Sequence, residues 1–313
     1  MDRRRRAAAL AALLAALSLA AGRDAAPLAE LRWLDPAADP VAALTTRPDE
    51  CLPAPTSGAP ALEIDVGRAA FRSPLLLGGQ AARAGLSCES CHQEGRDNPT
   101  FHFPGLSGPP GTADITSSLL SSHRGDGVAN PRSIPDLSAR KAELRIRQDP
   151  DDRALETFIQ GLVVEEFDGQ PPPPAVLAGL AAYVRALEPC KRRLRPLRVA
   201  DYLSDARRAA RAGAGLLGSG DSASALVMIA AARARLGQID ERYAGLPEAR
   251  AALAGADRDL AAIAAEIRAG DPGAADRLTD ADRFLRALSD PLEQDEERSL
   301  FDRARLGLLL QGP

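Results

Sequence analysis

Cys88, Cys91 and His92 stand together in the five residues CESCH. Two thiols three positions apart, with an imidazole directly after the second, suit a small set of chemistries. They can form a redox dithiol, supply half of a zinc site, or attach a porphyrin through two thioethers while the imidazole ligates its iron. A zinc site needs a second ligand pair, and Cys51, Cys190, His102 and His123 do not form one at usual zinc-finger spacing. A thioredoxin-like dithiol sits between a strand and a helix, whereas the preceding GGQAARAG is Gly-rich and lacks a β-branched run. A plain Cys88–Cys91 disulfide has no use for His92. Haem attachment employs all three residues, so the spacing points to one covalent haem c, with His92 as the proximal iron ligand.

A wider likeness surrounds the motif. Residues 67–92, GRAAFRSPLLLGGQAARAGLSCESCH, resemble the run that leads into a haem site of bacterial di-haem cytochrome c peroxidases and the related methylamine-utilisation enzymes. NPRSIPDL (130–137) resembles that family's Asn-x-Pro-Ser-Leu-like segment, and FIQGLVVEEFDGQPPPPAVLAGLAAYVRAL (158–187) resembles its closing helices. The likeness covers about residues 60 to 190 and implies a mainly α, cytochrome c-like haem domain. Those enzymes carry two haem motifs and this chain carries one, so a relay between two haems does not transfer to a single chain. The expectation is therefore an exported mono-haem cytochrome that passes electrons to a periplasmic redox partner. The alternative is a peroxidase-like enzyme acting alone or with a second haem subunit.

Iron held by His92 has a second axial position, whose occupant separates an electron carrier from a site that binds a small molecule. Of the 2 methionines, Met1 lies in the leader and Met228 far into the C-terminal region. In the resembled family a distal His can come from the loop after the motif, which favours His102 in TFHFPG. His123 in SSHRGDG is the weaker alternative, and an open or water-bound iron is the third. An open iron would need a nearby acid or base. Glu165, Glu166 and Asp126 have the right type, but a helix end and an RGDG turn are ordinary settings for solvated charge, so the catalytic residues stay unassigned.

The elements that must position these groups are legible in outline. Arg3 to Arg6 precede a 15-residue apolar run, Ala7 to Ala21, with small residues at Ser18-Leu19-Ala20. That is the pattern of a signal peptide (1–22) cleaved near Ala20 or Ala21, and the run is shorter than the ~20 residues of a membrane span. Export implies an oxidising compartment, where the two cysteines outside the motif, Cys51 and Cys190, can pair in one way only. A net charge of −4, with 45% hydrophobic and 26% charged residues, fits a globular chain and argues against a nucleic-acid binder.

Residues 23–59 read as an irregular lead-in and 60–195 as the haem domain. Within the latter, the Gly-, Pro- and Ser-rich stretch 98–135 reads as a long loop over the distal haem face. Leu155, Phe158, Ile159, Leu162 and Val163 predict one amphipathic helix, which the prolines 171–174 stop. Val176, Leu177, Leu180, Val184 and Leu187 predict a second, ended by Pro189. KRRLRPLR after Cys190 marks a boundary that suits either a linker or electrostatic steering of an acidic partner. From 199 to 313 there is no Cys or His, and the Ala/Leu/Arg/Asp pattern predicts a bundle of four or five helices, a docking surface or a spacer. Capping signals precede its helices at Asp221, Asp271 and Asp290.

Overall fold

The computed structural model describes residues 28–53, 58–125 and 127–311. The expected signal peptide and Asp126 fall outside them. The chain is mainly helical, 59% helix against 4% strand. Among the described residues no helix is long and apolar enough to cross a membrane.

The lead-in is more ordered than its composition suggests. A 3-10 turn, Ala29–Trp33, is followed by α1 (Pro40–Thr45). Asp39 caps α1 by accepting from the Val41 and Ala42 amides at 2.9 and 3.1 Å, and Pro40 occupies the first helical position, where no backbone donor is needed. Strand β1 (Thr46–Pro48) then pairs antiparallel with β4 (Leu194–Pro196), Arg47 lying opposite Arg195. Just beyond this ladder Cys51 and Cys190 form a disulfide, with Cα atoms 5.7 Å apart. Residues 46–51 of the lead-in are thus joined to residues 190–196 by hydrogen bonds and by a covalent bond.

Two longer helices frame the motif. In α2 (Ala59–Phe71) and α6 (Pro174–Ala186), Gly67 meets Gly179 so closely that a Cβ on Gly67 would lie 1.8 Å from the Gly179 carbonyl oxygen. Only paired glycines allow backbones to cross at that distance. The crossing buries Val66, Ala70 and Phe71 against Leu180, Tyr183 and Val184. Between these helices come α3 (Gly79–Ala84), the motif helix α4 (Cys88–Cys91), and the long loop, which contains a two-residue ladder of β2 (Thr112–Ala113) with β3 (Arg132–Ser133).

The first predicted amphipathic helix is α5 (Ala154–Gly161), continued by a π turn over Leu162–Glu166. Leu155 and Val163 are buried while Phe158 is 38% exposed, and the π turn, by admitting an extra residue, rotates the side chains that follow it. Helix α6 begins at Pro174, as the proline run dictates, and Val176, Leu177, Leu180, Val184 and Leu187 all face inward.

The C-terminal region comprises α7 (Val199–Gly218), α8 (Ser222–Arg242), α9 (Pro247–Ala269), α10 (Ala274–Ala287), α11 (Ser289–Gln294) and α12 (Arg303–Gln311). Asp221 caps α8 through the Ser224 amide. Asp271 instead bonds the Gly273 amide and leaves Gly273 at the cap, and Asp290 lies inside the first turn of α11 because α10 runs almost directly into it. Helix α2 packs on α7 and α8, and a single hydrophobic cluster extends from Trp33 to Phe301. The lead-in is pinned to the same helices by Glu30, which pairs with the buried Arg242 at 2.6 Å and accepts from Tyr202 at 3.2 Å. In KRRLRPLR, Arg192 pairs with Asp97, Arg195 with Asp201, and Arg198 with Glu296, so much of this basic charge is neutralised within the chain.

Candidate haem site

Cys88 and Cys91 occupy one helical turn. Ser87 and Ser90 cap it reciprocally, Ser90 Oγ accepting from the Ser87 amide at 3.1 Å, and the His92 amide closes it on the Cys88 carbonyl at 2.8 Å. A spacing of three puts both thiols on the same face of the turn. Both are free thiols. Each keeps an exposed edge, yet the protein around them is dense enough that burial pushes both thiols up to about 12. A redox dithiol needs the opposite shift, toward the thiolate.

The geometry of His92 is the most informative feature. Its Nδ1 lies 3.0 Å from the Pro135 carbonyl oxygen. A carbonyl can only accept, so Nδ1 carries the proton and Nε2 keeps its lone pair. Burial lowers the imidazole to about 4 against the supporting effect of that hydrogen bond, so the ring is neutral at physiological pH. A neutral imidazole anchored through Nδ1 and open at Nε2 is the form that ligates a metal. Pro135 belongs to the segment 130–137, and the Leu137 amide donates to the Gly95 carbonyl at 3.1 Å, which ties that segment to the chain just past His92. The Phe71 ring, at the end of α2, stands 6.3 Å from the imidazole and 5.1 Å from Tyr183.

Beneath the motif lies a buried nest of charge. Glu94 takes a left-handed backbone conformation (φ 53°) and directs its carboxylate to Arg72 and Arg47. Arg72 also meets Glu50 at 2.9 Å and Asp205 of α7 at 3.4 Å, and Tyr183 donates to Glu50 at 2.8 Å. Burial alone would raise the Glu94 and Asp205 carboxyls, but Arg72 and its neighbours overcome it, holding Glu94 down to about 2 and Asp205 well below the usual range. Glu89, inside the motif, accepts from the Glu94 amide at 3.0 Å but has no cation so close. Its nearest contact with Arg72 is 3.7 Å, and burial pushes it up to about 7. A polar cavity of about 60 Å³ lies here, lined by Arg47, Glu89, Tyr202 and Arg235 among others. It is far too small and too charged for a porphyrin.

The donor set fits a haem: two free thiols on one face and an imidazole with its ligating nitrogen free. Among the described residues no three His, Cys, Asp or Glu side chains are placed to hold a bare metal ion. His102 is half-buried beside the lead-in, its amide bonded to the Trp33 carbonyl at 2.9 Å and its Nδ1 buried without a partner. His123 is 58% exposed and stands 3.8 Å from Asp168. Met228 is fully buried between α7 and α8 against Gly213. Glu165 and Glu166 both pair with Arg124. The charge nest and the Pro135 carbonyl are invisible in the sequence, because their members are scattered from residue 47 to 235 with no local periodicity. The only local hint is that the segment around Pro135 resembles a family motif.

No protein-family profile, curated protein or solved structure matches the chain.

Proposed function

We propose that the chain is an exported, periplasmic mono-haem c-type cytochrome that transfers electrons. The observation that carries this reading is the His92 imidazole, fixed through Nδ1 to Pro135 and free at Nε2, directly after two free thiols on one helical face. Cys88 and Cys91 would hold the haem through thioethers and His92 would ligate its iron. The group itself would supply one-electron redox chemistry. What the chain contributes is rigidity. An imidazole fixed in one tautomer, on a turn closed at both ends and backed by the Gly67–Gly179 crossing, holds one geometry in both redox states, and a fixed geometry favours electron exchange over bond making.

His102, whose Nδ1 is buried without a protein partner, would be the second residue to ligate the iron. A six-coordinate iron would favour the electron carrier over the peroxidase-like alternative. The partner is proposed to be another periplasmic redox protein, and the exposed faces of the C-terminal helices are available to position it.

The deciding experiment is the visible spectrum of protein matured in cells able to attach c-type haem, oxidised and reduced, with and without carbon monoxide, beside a Cys88→Ser/Cys91→Ser double variant. Haem that survives denaturation in the wild type and disappears in the variant is expected, with a low-spin spectrum indifferent to carbon monoxide. Absence of covalent haem from the wild type would end the proposal. A high-spin spectrum that shifts with carbon monoxide would move the assignment to the enzyme.

A further inference from the structure

Arg96, four residues beyond His92, is buried and makes contacts that no haem site requires of it. Its Nε and Nη2 both donate to Asp136 Oδ2, at 3.2 and 3.1 Å. Its Nη1 lies 3.2 Å from Cys51 Sγ and 3.6 Å from Cys190 Sγ, and Nη2 also donates to the Cys190 carbonyl at 3.3 Å. One guanidinium therefore grips the disulfide on one side and Asp136 on the other. The second carboxylate oxygen of Asp136 is occupied as well, accepting from the Ser138 amide at 2.9 Å and its hydroxyl at 2.6 Å.

Asp136 directly follows Pro135, and the two share the peptide plane whose oxygen receives the His92 Nδ1 proton. Fixing Asp136 from both carboxylate oxygens fixes that plane. Beside this grip, the segment is tied to residues 95–96 by the backbone bond from the Leu137 amide to the Gly95 carbonyl. A planar fork of donors suits the task, because it can meet a carboxylate and a disulfide edge at once where an ammonium is a single point of charge.

We infer that Arg96 is a positioning residue for His92: it couples the Cys51–Cys190 disulfide to the orientation of the Pro135 carbonyl, and through it to the tautomer of the iron-ligating imidazole. The inference deepens the haem reading and rests on it. Without Arg96, or without the disulfide that anchors it, the 135–136 peptide loses its fixed orientation. The His92 ring then reverts toward the Nε2-protonated tautomer that imidazoles prefer in water, which covers the nitrogen the iron needs. In haem-loaded protein the weaker hold on Nδ1 makes the imidazole a poorer electron donor, and the reduction potential rises.

The test uses the full chain with its histidines labelled with ¹⁵N. With 3 histidines in the sequence, each imidazole can be followed. In haem-free wild-type protein His92 is expected as the pure Nδ1-protonated tautomer. Arg96→Met, and separately Cys51→Ser/Cys190→Ser, should both convert it to a mixture or to the Nε2 form, and Arg96→Lys should lie between. If Arg96→Met fails to fold, Arg96→Lys and the double serine variant carry the test. Folded variants that keep the wild-type tautomer overturn the inference, even if they melt earlier, since a merely structural arginine would lower stability and leave the tautomer alone. In haem-matured protein the same variants should raise the midpoint potential, and an unchanged potential also overturns the coupling. A stain for covalent haem on denatured wild type separates the two failures: absent haem removes the functional reading, whereas present haem with an unchanged tautomer removes only the role of Arg96.

Discussion

Gly67→Ala is the sharpest perturbation of the frame that holds the site. A Cβ there would sit 1.8 Å from the Gly179 carbonyl oxygen, 2.2 Å from its carbon and 2.8 Å from the Leu180 nitrogen. All three atoms are backbone, so no rotamer change relieves the clash, and α2 must move away from α6 until the nearest contact exceeds 3.0 Å. Overpacking of this kind costs up to about 3 kcal/mol, offset by the ~1 kcal/mol that Ala gains over Gly in a helix interior, for a net loss of about 2 kcal/mol. Gly237→Ala in α8 is the matched control, because a Cβ there would meet nothing within 4 Å, and it should gain roughly 0.5–1 kcal/mol from propensity alone. Guanidinium unfolding followed by circular dichroism reads both, provided the two variants share the wild-type denaturant slope. Phe71, at the end of α2, adjoins His92. Haem-matured Gly67→Ala should therefore also show a disturbed spectrum, while Gly237→Ala matches wild type. A Gly67→Ala protein as stable as Gly237→Ala would refute the close crossing and the rigidity argued from it.

Four further outcomes are expected. Cys51→Ser/Cys190→Ser opens a loop with a sequence separation of 139, and the chain-entropy relation sets the loss at no more than ~5 kcal/mol, read by unfolding beside the oxidised wild type. Arg72→Met removes the cation shared by Glu94, Glu50 and Asp205, which keep Arg47, Arg68 and Arg235 respectively, and should cost about 3 kcal/mol, with Arg72→Met/Glu94→Gln less damaging than the sum of the single changes. Asp205 has a folded-state pKa depressed below its ordinary 3.8, so it contributes fully above about pH 4 and its contribution is lost as pH falls below that; Asp205→Asn should flatten the acid limb of the stability profile. Asp221→Ala removes the cap on the Ser224 amide and should cost about 1 kcal/mol in thermal or denaturant unfolding.

The Cys88, Cys91 and His92 cluster was legible because its geometry is local: the two thiols and the imidazole lie within five residues, and a single helical turn sets their mutual placement whatever the rest of the chain does. The disulfide was legible for a different reason, since two leftover cysteines allow one pairing. Periodicity was enough for α6 and for the helical character of the C-terminal region, where Val176 to Leu187 repeat at helical spacing and the prolines punctuate. It was not enough for the π turn after α5, which changes no residue type and appears only when the helix is packed, nor for the helix and strand in the lead-in, whose Asp- and Pro-rich composition hides a capped turn and a three-residue edge.

What only the tertiary structure decided is how the local motif is held. Pro135 reaches Nδ1 of His92 across 43 positions, Arg47 and Asp205 converge on the Arg72–Glu94 pair from distant parts of the chain, and Arg96 meets a cysteine 94 residues away. Sequence spacing carries no information about such contacts, because they depend on where whole helices cross. The crossing in turn depends on two glycines, Gly67 and Gly179, whose necessity shows only once their backbones are seen to touch. The sequence by itself determined that two thiols and an imidazole share one helical turn; the packing of α2, α6, α7 and α8 decided which tautomer, which charges and which covalent tie surround them.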